Sequence, residues 1–332
     1  MVNDSYYVFG IGNALVDIEY LVDDETLRNQ NIEKGMMTLV GPEVGEGLDK
    51  IGLKASKVES GGSAGNSMAC FAQLGGSGFF SCRVAGDSYG NDYEAGLRKI
   101  GLKTNITDSR PEGVTGNCRV LLTEDAERTM LTFLGVTSDF SVNDIDFDAL
   151  AKSSLLYVEG YLVASPNAKT AAKKAIEFAR ENGVKTALTL SDPSMPTFFK
   201  NEVLELLDSK VDYLFCNEEE GEKLTGLSDQ GEVLKNLLNY ADNIIMTLGK
   251  DGALFYNSNA LVKESGLNVN AIDTLGAGDS FAGGFLYGLE QNLSSRDSLK
   301  LAISLSGTLV TKRGPRLSQD EIEEIKKALK LS

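Results

Sequence analysis

The sequence predicts an α/β protein built on a mainly parallel sheet with helices on both faces. Three observations carry that expectation. Strand-like apolar runs recur at residues 7–11, 79–84, 155–158, 186–190, 213–216 and 244–246. Helical patterns at residues 168–182 and 232–240 separate the later runs. Strands alternating with helices are joined by crossovers, and crossovers give parallel pairing. Glycine is abundant and proline scarce, 35 residues against 6. That balance suits tight strand-to-helix turns and excludes a linker-rich chain.

Two segments interrupt this rhythm. Residues 14–60 are charged, with short helical patches and little strand alternation. Residues 112–137 read as an antiparallel hairpin, strands 115–123 and 127–134 joined by Glu124-Asp125-Ala126. A hairpin is out of place in a parallel sheet. The two segments are expected to form a small inserted lid on one domain spanning residues 1–332; ordinary surface excursions are the alternative.

Composition narrows the function. With 332 residues and 42% hydrophobic side chains, a sizeable core can form. A formal net charge of −16 repels nucleic acid and anionic membrane surfaces, so neither is an expected partner. No window reaches the ~18 apolar residues of a membrane span, and residues 1–10 show no charged leader, so a cytoplasmic location is expected. Cys70, Cys82, Cys118 and Cys216 fall in apolar stretches without a C-x-x-C pair, which predicts buried thiols. The chain has no histidine, which removes Ser-His-Asp chemistry and histidine metal ligands.

The sharpest motif is Asp273-Thr274-Leu275-Gly276-Ala277-Gly278-Asp279-Ser280-Phe281. Phe281, Phe285 and Leu289 then repeat every fourth residue, as on a helix packed against a core. A small-residue turn thus opens into a helix. First-turn N–H groups lack helical partners, and the helix dipole favours negative charge there. Gly276, Ala277 and Gly278 leave those donors open to an anion. Asp279 stands beside them. The pairing makes sense for phosphoryl transfer: the donors stabilise the moving phosphoryl group, and the carboxylate accepts the proton of the attacking hydroxyl.

This string resembles the signature of the ribokinase-like, phosphofructokinase-B-type carbohydrate kinases. A second signature of that family resembles Gly61-Gly62-Ser63-Ala64-Gly65-Asn66-Ser67. The resemblance implies a three-layer sandwich with a small lid over the acceptor site. It further implies that Gly61, Gly62 and Asn66 contact substrate hydroxyls. Asn13 and Asp17, in the segment that follows the first strand, can donate to and accept from vicinal hydroxyls; plain turn residues are the alternative. Asn217-Glu218-Glu219-Glu220 is similar to the family's N-x-x-E element, which implies ATP with Mg2+ held through water by Asn217 and Glu220; a capped helix start is the other reading. Thr247-Leu248-Gly249-Lys250-Asp251-Gly252 resembles its nucleotide-binding turn, through Thr247, Gly249 and Gly252; a plain hairpin turn is the alternative. In many relatives the region of Asp273 and Thr274 helps hold a monovalent cation. All these elements trail strands, where ligands of open α/β sheets gather.

The resemblance implies an ATP-dependent kinase acting on a hydroxymethyl group of a small sugar-like acceptor. The start Gly12-Asn13-Ala14-Leu15-Val16-Asp17-Ile18 is similar to adenosine kinases more than to ribokinases, which points to adenosine and its conversion to AMP. A fructokinase- or ribokinase-type activity and a non-catalytic nucleoside-binding role are the alternatives. Phe133, with Leu131 and Leu134, is the expected wall for a flat base; packing within the lid itself is the alternative. Arg128 is placed either over the phosphates or in a salt bridge. A monomer or a homodimer fits. No P-loop and no dinucleotide-binding glycine fingerprint occurs.

Overall fold

The computed structural model describes residues 5–125 and 127–331, without the side chains of Glu46 and Asp49. Residues 1–4 of the predicted leaderless start and Ala126 of the predicted turn lie outside the described residues.

The strands are β1 (Tyr6–Ile11), β2 (Leu15–Leu21), β3 (Met37–Leu39), β4 (Lys57–Gly61), β5 (Gly78–Ser81), β6 (Lys103–Thr104) and β7 (Asn117–Leu122). They continue as β8 (Arg128–Phe133), β9 (Ser153–Glu159), β10 (Lys185–Thr189), β11 (Val211–Asn217), β12 (Ala241–Thr247), β13 (Ala253–Asn257) and β14 (Leu261–Glu264). Nine of them form one sheet in the order β14-β13-β12-β11-β10-β9-β1-β5-β6. Pairing is parallel from β6 to β12 and antiparallel only at the β12-β13-β14 edge.

Strand β9 shows why the sheet sits centrally. Its Leu155 and Tyr157 pack into one apolar cluster, while Leu156 and Val158 pack into another on the opposite face. A strand buried on both faces reads as a continuous apolar run rather than an alternation. The helix Ala277–Glu290 covers the first face, where Phe285 meets Phe215 edge-on at 5.7 Å. The helix Pro166–Glu181 covers the second. Ser165 caps it, Pro166 opens it, and Ala168, Ala171, Ala172, Ala175 and Ala179 form its buried stripe. Alanine adds little side chain, so this helix packs close to the strands.

The other five strands form a separate sheet in the order β3-β8-β7-β2-β4. The hairpin expected at 115–134 is β7 paired antiparallel with β8. The first inserted segment departs from expectation. Residues 14–60 hold three strands as well as the short helices Asp24–Asn29 and Pro42–Lys50. Strand β2 does alternate, with Val16, Ile18 and Tyr20 buried between Leu15, Asp17 and Glu19. Three apolar residues interleaved with acids gave too short a pattern to stand out. Strand β5 ends at Ser81, earlier than the apolar run to Val84 suggested, and the side chain of Asn105 takes over the bond to Cys82 N–H. All four cysteines are buried and free. Among the described residues, no helix is long and apolar enough to cross a membrane.

Candidate active site

A cavity of about 450 Å³ lies between the second sheet and the carboxyl ends of the main-sheet strands. A second, of about 240 Å³, adjoins it, and Ser63, Ser191, Gly278 and Asp279 line both.

The helix Ala277–Glu290 starts at this junction. Gly276 precedes it with φ +71°, and a Cβ there would lie 2.5 Å from the Pro315 carbonyl oxygen. Only glycine meets both conditions. Ala277 N–H donates to the Thr274 carbonyl at 3.2 Å. The predicted anion hole therefore narrows to the first-turn N–H groups of Gly278 and Asp279, residues that line both cavities. Gly276→Ala is expected to cost roughly 1–3 kcal/mol of stability and to lower turnover. A melting curve and kcat measured on the same preparation check this, and a wild-type melting point would remove the strain argument.

The two glycine signatures meet here from far apart in the chain. Ser63 Oγ donates to Asp279 Oδ1 at 2.7 Å, and Asn66 Nδ2 donates to Asp279 Oδ2 at 3.1 Å. Both donors ride on the helix Ser63–Gln73, which begins after Gly62 at φ +82°. Burial pushes the Asp279 carboxyl up to about 6, and the bonds from Ser63 and Asn66 pull against that rise. A carboxyl in this range is ionised near neutrality yet basic enough to accept a proton.

Asp17 on β2 lines the large cavity beside Gly61, where any side chain would collide with its carboxylate. Burial pushes Asp17 up to about 7, with Arg316 opposing. Asn13 reaches the same cavity, but much of its amide is engaged. Its Nδ2 donates to Glu159 Oε1 at 2.7 Å, and its Oδ1 accepts from Thr137 Oγ1 at 3.3 Å.

Glu159 escaped the sequence reading. It is 1% exposed and lines the cavity. Its Oε1 also accepts from Asn13 N–H and its Oε2 from Ala64 N–H, so one carboxylate ties the first turn to the glycine signature. Burial pushes it up to about 7. The available signal was its place at the carboxyl end of β9, the same position rule that flagged the other motifs.

One expectation on the hairpin needs correction. Phe133 does not line the cavity, and neither does Leu131, which packs into the core. Side chains alternate along a strand, so Arg128, Met130, Thr132 and the following Leu134 face the cavity. Leu131 and Phe133 are thus one residue out of phase, while Leu134, expected in the same wall, does line the cavity. The actual apolar lining adds Leu15, Met37, Leu39 and Val120. Of the two readings for Arg128 the salt bridge holds: it is paired with Asp273 and lies 3.7 Å from Glu19, while still lining the cavity.

Asp273 also accepts from Leu275 N–H at 2.9 Å and Gly314 N–H at 2.8 Å. The carboxylate expected beside a monovalent cation is thus occupied by internal donors. Among the described residues no cluster of three or more metal-ligating side chains occurs.

The smaller cavity gathers Asn217, Glu220 and Thr247 from the ends of β11 and β12. Asn217 and Glu220 form a capping box: Asn217 Oδ1 accepts from Glu220 N–H, while the Glu220 carboxylate accepts from Asn217 N–H and Nδ2. Burial pushes Glu220 up to about 7. Gly249 and Gly252 line neither cavity. They shape the turn between β12 and β13 at φ +57° and +105°, where Leu248 N–H bonds the Gly252 carbonyl.

Known proteins resemble this chain in sequence and in fold. The family model "pfkB family carbohydrate kinase" matches residues 35–322. A ribokinase of Lactococcus lactis is 26% identical over 273 residues, covering 81% of this chain and 85% of its own. A guanosine-inosine kinase of Escherichia coli is 28% identical over 258 residues, 74% of this chain and 59% of its own. The solved adenosine kinase of Sinorhizobium meliloti superposes with TM-score 0.89 at 32% identity, covering 98% of this chain and 99% of that one. A probable sugar kinase of Rhizobium etli gives the same values. The chain belongs to the pfkB family of carbohydrate kinases, phosphotransferases that use ATP and act on an alcohol group of a sugar or nucleoside.

Proposed function

We propose that the acceptor is a nucleoside, adenosine first among them, phosphorylated on its hydroxymethyl oxygen to give AMP. The observation that carries this reading is the division of the large cavity. Asp17, Asn13 and Asp279 form a polar end suited to sugar hydroxyls, while Leu15, Met37, Leu39, Val120, Met130 and Leu134 form an apolar wall. A bare sugar has no flat apolar face to bury there, and a base has. The likeness to the S. meliloti adenosine kinase at 32% identity supports the same choice.

The chemistry follows from the positions. Asp17 orients the sugar hydroxyls. Asp279 takes the proton of the attacking hydroxyl as its oxygen bonds the terminal phosphorus of ATP. The bond from that phosphorus to the bridging oxygen breaks, and ADP leaves. The N–H groups of Gly278 and Asp279 receive the charge on the transferred group. The smaller cavity, with Thr247, Asn217 and Glu220, takes the ATP phosphates. Glu220 suits a water-bound Mg2+ because Asn217 engages each of its oxygens only once, which leaves room to hold coordinated water. When bound, Mg2+ supplies positive charge to the phosphates. Residues 14–60 and 112–137 act as a lid that closes over the acceptor and excludes water. Leu27 and Leu48 of the chain itself are buried in one cluster with Val16, Ile18 and Tyr20, so part of the β2 face turned from the cavity is already covered, which favours a monomer.

The test is ADP release from Mg-ATP with adenosine, inosine, guanosine, ribose, fructose and keto-deoxygluconate at matched concentrations. Strong turnover with adenosine and weak turnover with the free sugars is expected. Preference for a free sugar would discard the base wall and keep the catalytic residues. ATP binding without turnover on any acceptor would replace the kinase reading with a binding role.

A further inference from the structure

Arg316 has no part in the chemistry above, yet it is wired to the base. Its Nε donates to Asn66 Oδ1 at 2.9 Å. The same amide donates from Nδ2 to Asp279 Oδ2 at 3.1 Å. Arg316 does not line the acceptor cavity, so contact with substrate does not explain it. Stability explains it poorly as well, because its Nη2 is buried with no partner. A buried, unpaired donor on a cation weakens a fold rather than strengthening it.

The placement of Arg316 is nevertheless tightly fixed. Gly314 N–H donates to Asp273 at 2.8 Å. The Pro315 backbone packs against Gly276, and the Leu317 carbonyl accepts from Gln73 Nε2 at 3.1 Å. Residues 314–317 thus form a strap beneath the turn that opens the catalytic helix.

An asparagine amide has a donor end and an acceptor end of nearly equal shape. Either could face Asp279. A guanidinium only donates, so its bond to Oδ1 commits the acceptor end and leaves Nδ2 facing the carboxylate. An N–H donor suits an ionised acid. With the amide reversed, two oxygens would face each other, and that contact needs a proton between them. An acid already carrying that proton is no base.

We propose that Arg316 is a positioning residue for Asp279, acting through Asn66 to hold the carboxylate in the ionised form that accepts the acceptor's proton. This rests on the assignment of Asp279 as the base. Charge points the same way: Arg316 favours the ionised form of Asp279. Asp17 on β2 and Glu159 at the end of β9 feel its negative charge and oppose it. Cys70, Tyr157 and Tyr161 also face it, and burial raises all three so that they stay neutral.

The experiment is the pH profile of kcat at saturating Mg-ATP and the best acceptor of the panel, for wild type, Arg316→Met, Arg316→Lys and Asp279→Asn. Arg316→Met is expected to move the acidic limb up by about one pH unit, so that kcat drops about tenfold near pH 5, about twofold near neutrality, and recovers toward pH 9. Arg316→Lys keeps the charge and a donor, and its limb is expected to stay near wild type. A limb that does not move in Arg316→Met, with kcat lowered equally at every pH, makes Arg316 structural and overturns the inference. Wild-type turnover in Asp279→Asn instead sinks the base assignment itself. Should Arg316→Met not fold by its melting curve, Arg316→Gln, which keeps a neutral donor and loses the charge, is judged by the same limb.

Discussion

Asp279→Asn is expected to lower kcat by about 10²–10⁴ while leaving ATP affinity nearly unchanged. The substitution keeps the size of the side chain, and its amide can still receive one bond from Ser63 or Asn66. The fold should therefore survive. What disappears is the proton acceptor next to the first-turn N–H groups. The donors of the anion hole belong to the backbone and stay in place, so charge stabilisation of the transferring phosphoryl group persists. That sets the expected split: kcat collapses, while ATP binding, followed by calorimetry, holds. A second readout is pH. Burial lifts the Asp279 carboxyl to about 6. A base must be deprotonated to work, so wild-type kcat should fall as pH drops through that region. The residual activity of the Asn variant should show no such limb. Wild-type kcat in the variant would remove Asp279 from proton transfer.

Much of this site was legible because its motifs are local. The string from Asp273 to Phe281 encodes a turn and a helix start in nine consecutive residues, and the structure puts that helix start at Ala277. The buried-strand runs gave the parallel sheet for the same reason: pattern and structure share one stretch of chain. The misses are contacts between distant stretches, or patterns too short to register. Glu159 joins Asn13 and Ala64 across sequence separations of 146 and 95 residues. The salt bridge that was one reading of Arg128 is made with Asp273, 145 positions away, so the identity of the partner leaves no trace in its own neighbourhood. Phe133 failed on phase. A single-residue shift along a strand exchanges its two faces, and nothing in the hairpin sequence fixed which face would meet the cavity. Gly249 and Gly252 were read through a motif, and the alternative of a hairpin turn describes their local geometry. Arg316 carried no signal because it follows the last signature and acts through another side chain.

Asp17→Ala is the substitution expected to separate function from stability most sharply. Asp17 is the acid of β2 that faces the acceptor cavity. Hydrogen bonds to a charged group contribute about 1.5–3 kcal/mol each, so losing two bonds to vicinal hydroxyls should lower kcat/KM for the acceptor by about 10²–10⁴. The KM for ATP should barely change. The ligand-free protein should respond in the opposite sense. Burial raises the folded-state Asp17 to about 7, above its ordinary carboxylate value. A group raised by folding contributes its full stability below the unfolded value and loses it as pH climbs through the folded one. Between about pH 4 and 7 the wild type therefore gives up stability that the alanine variant has no charge to lose. At pH 8 the variant should melt higher than wild type, on the order of a few degrees. At pH 4 that advantage should vanish, leaving only the cost of the lost packing. Such a crossing is the signature of a carboxylate kept ionised for binding in a place that opposes its charge. A variant that melts lower than wild type at both pH values, with ATP and acceptor affinities falling together, would instead make Asp17 a structural member of the second sheet.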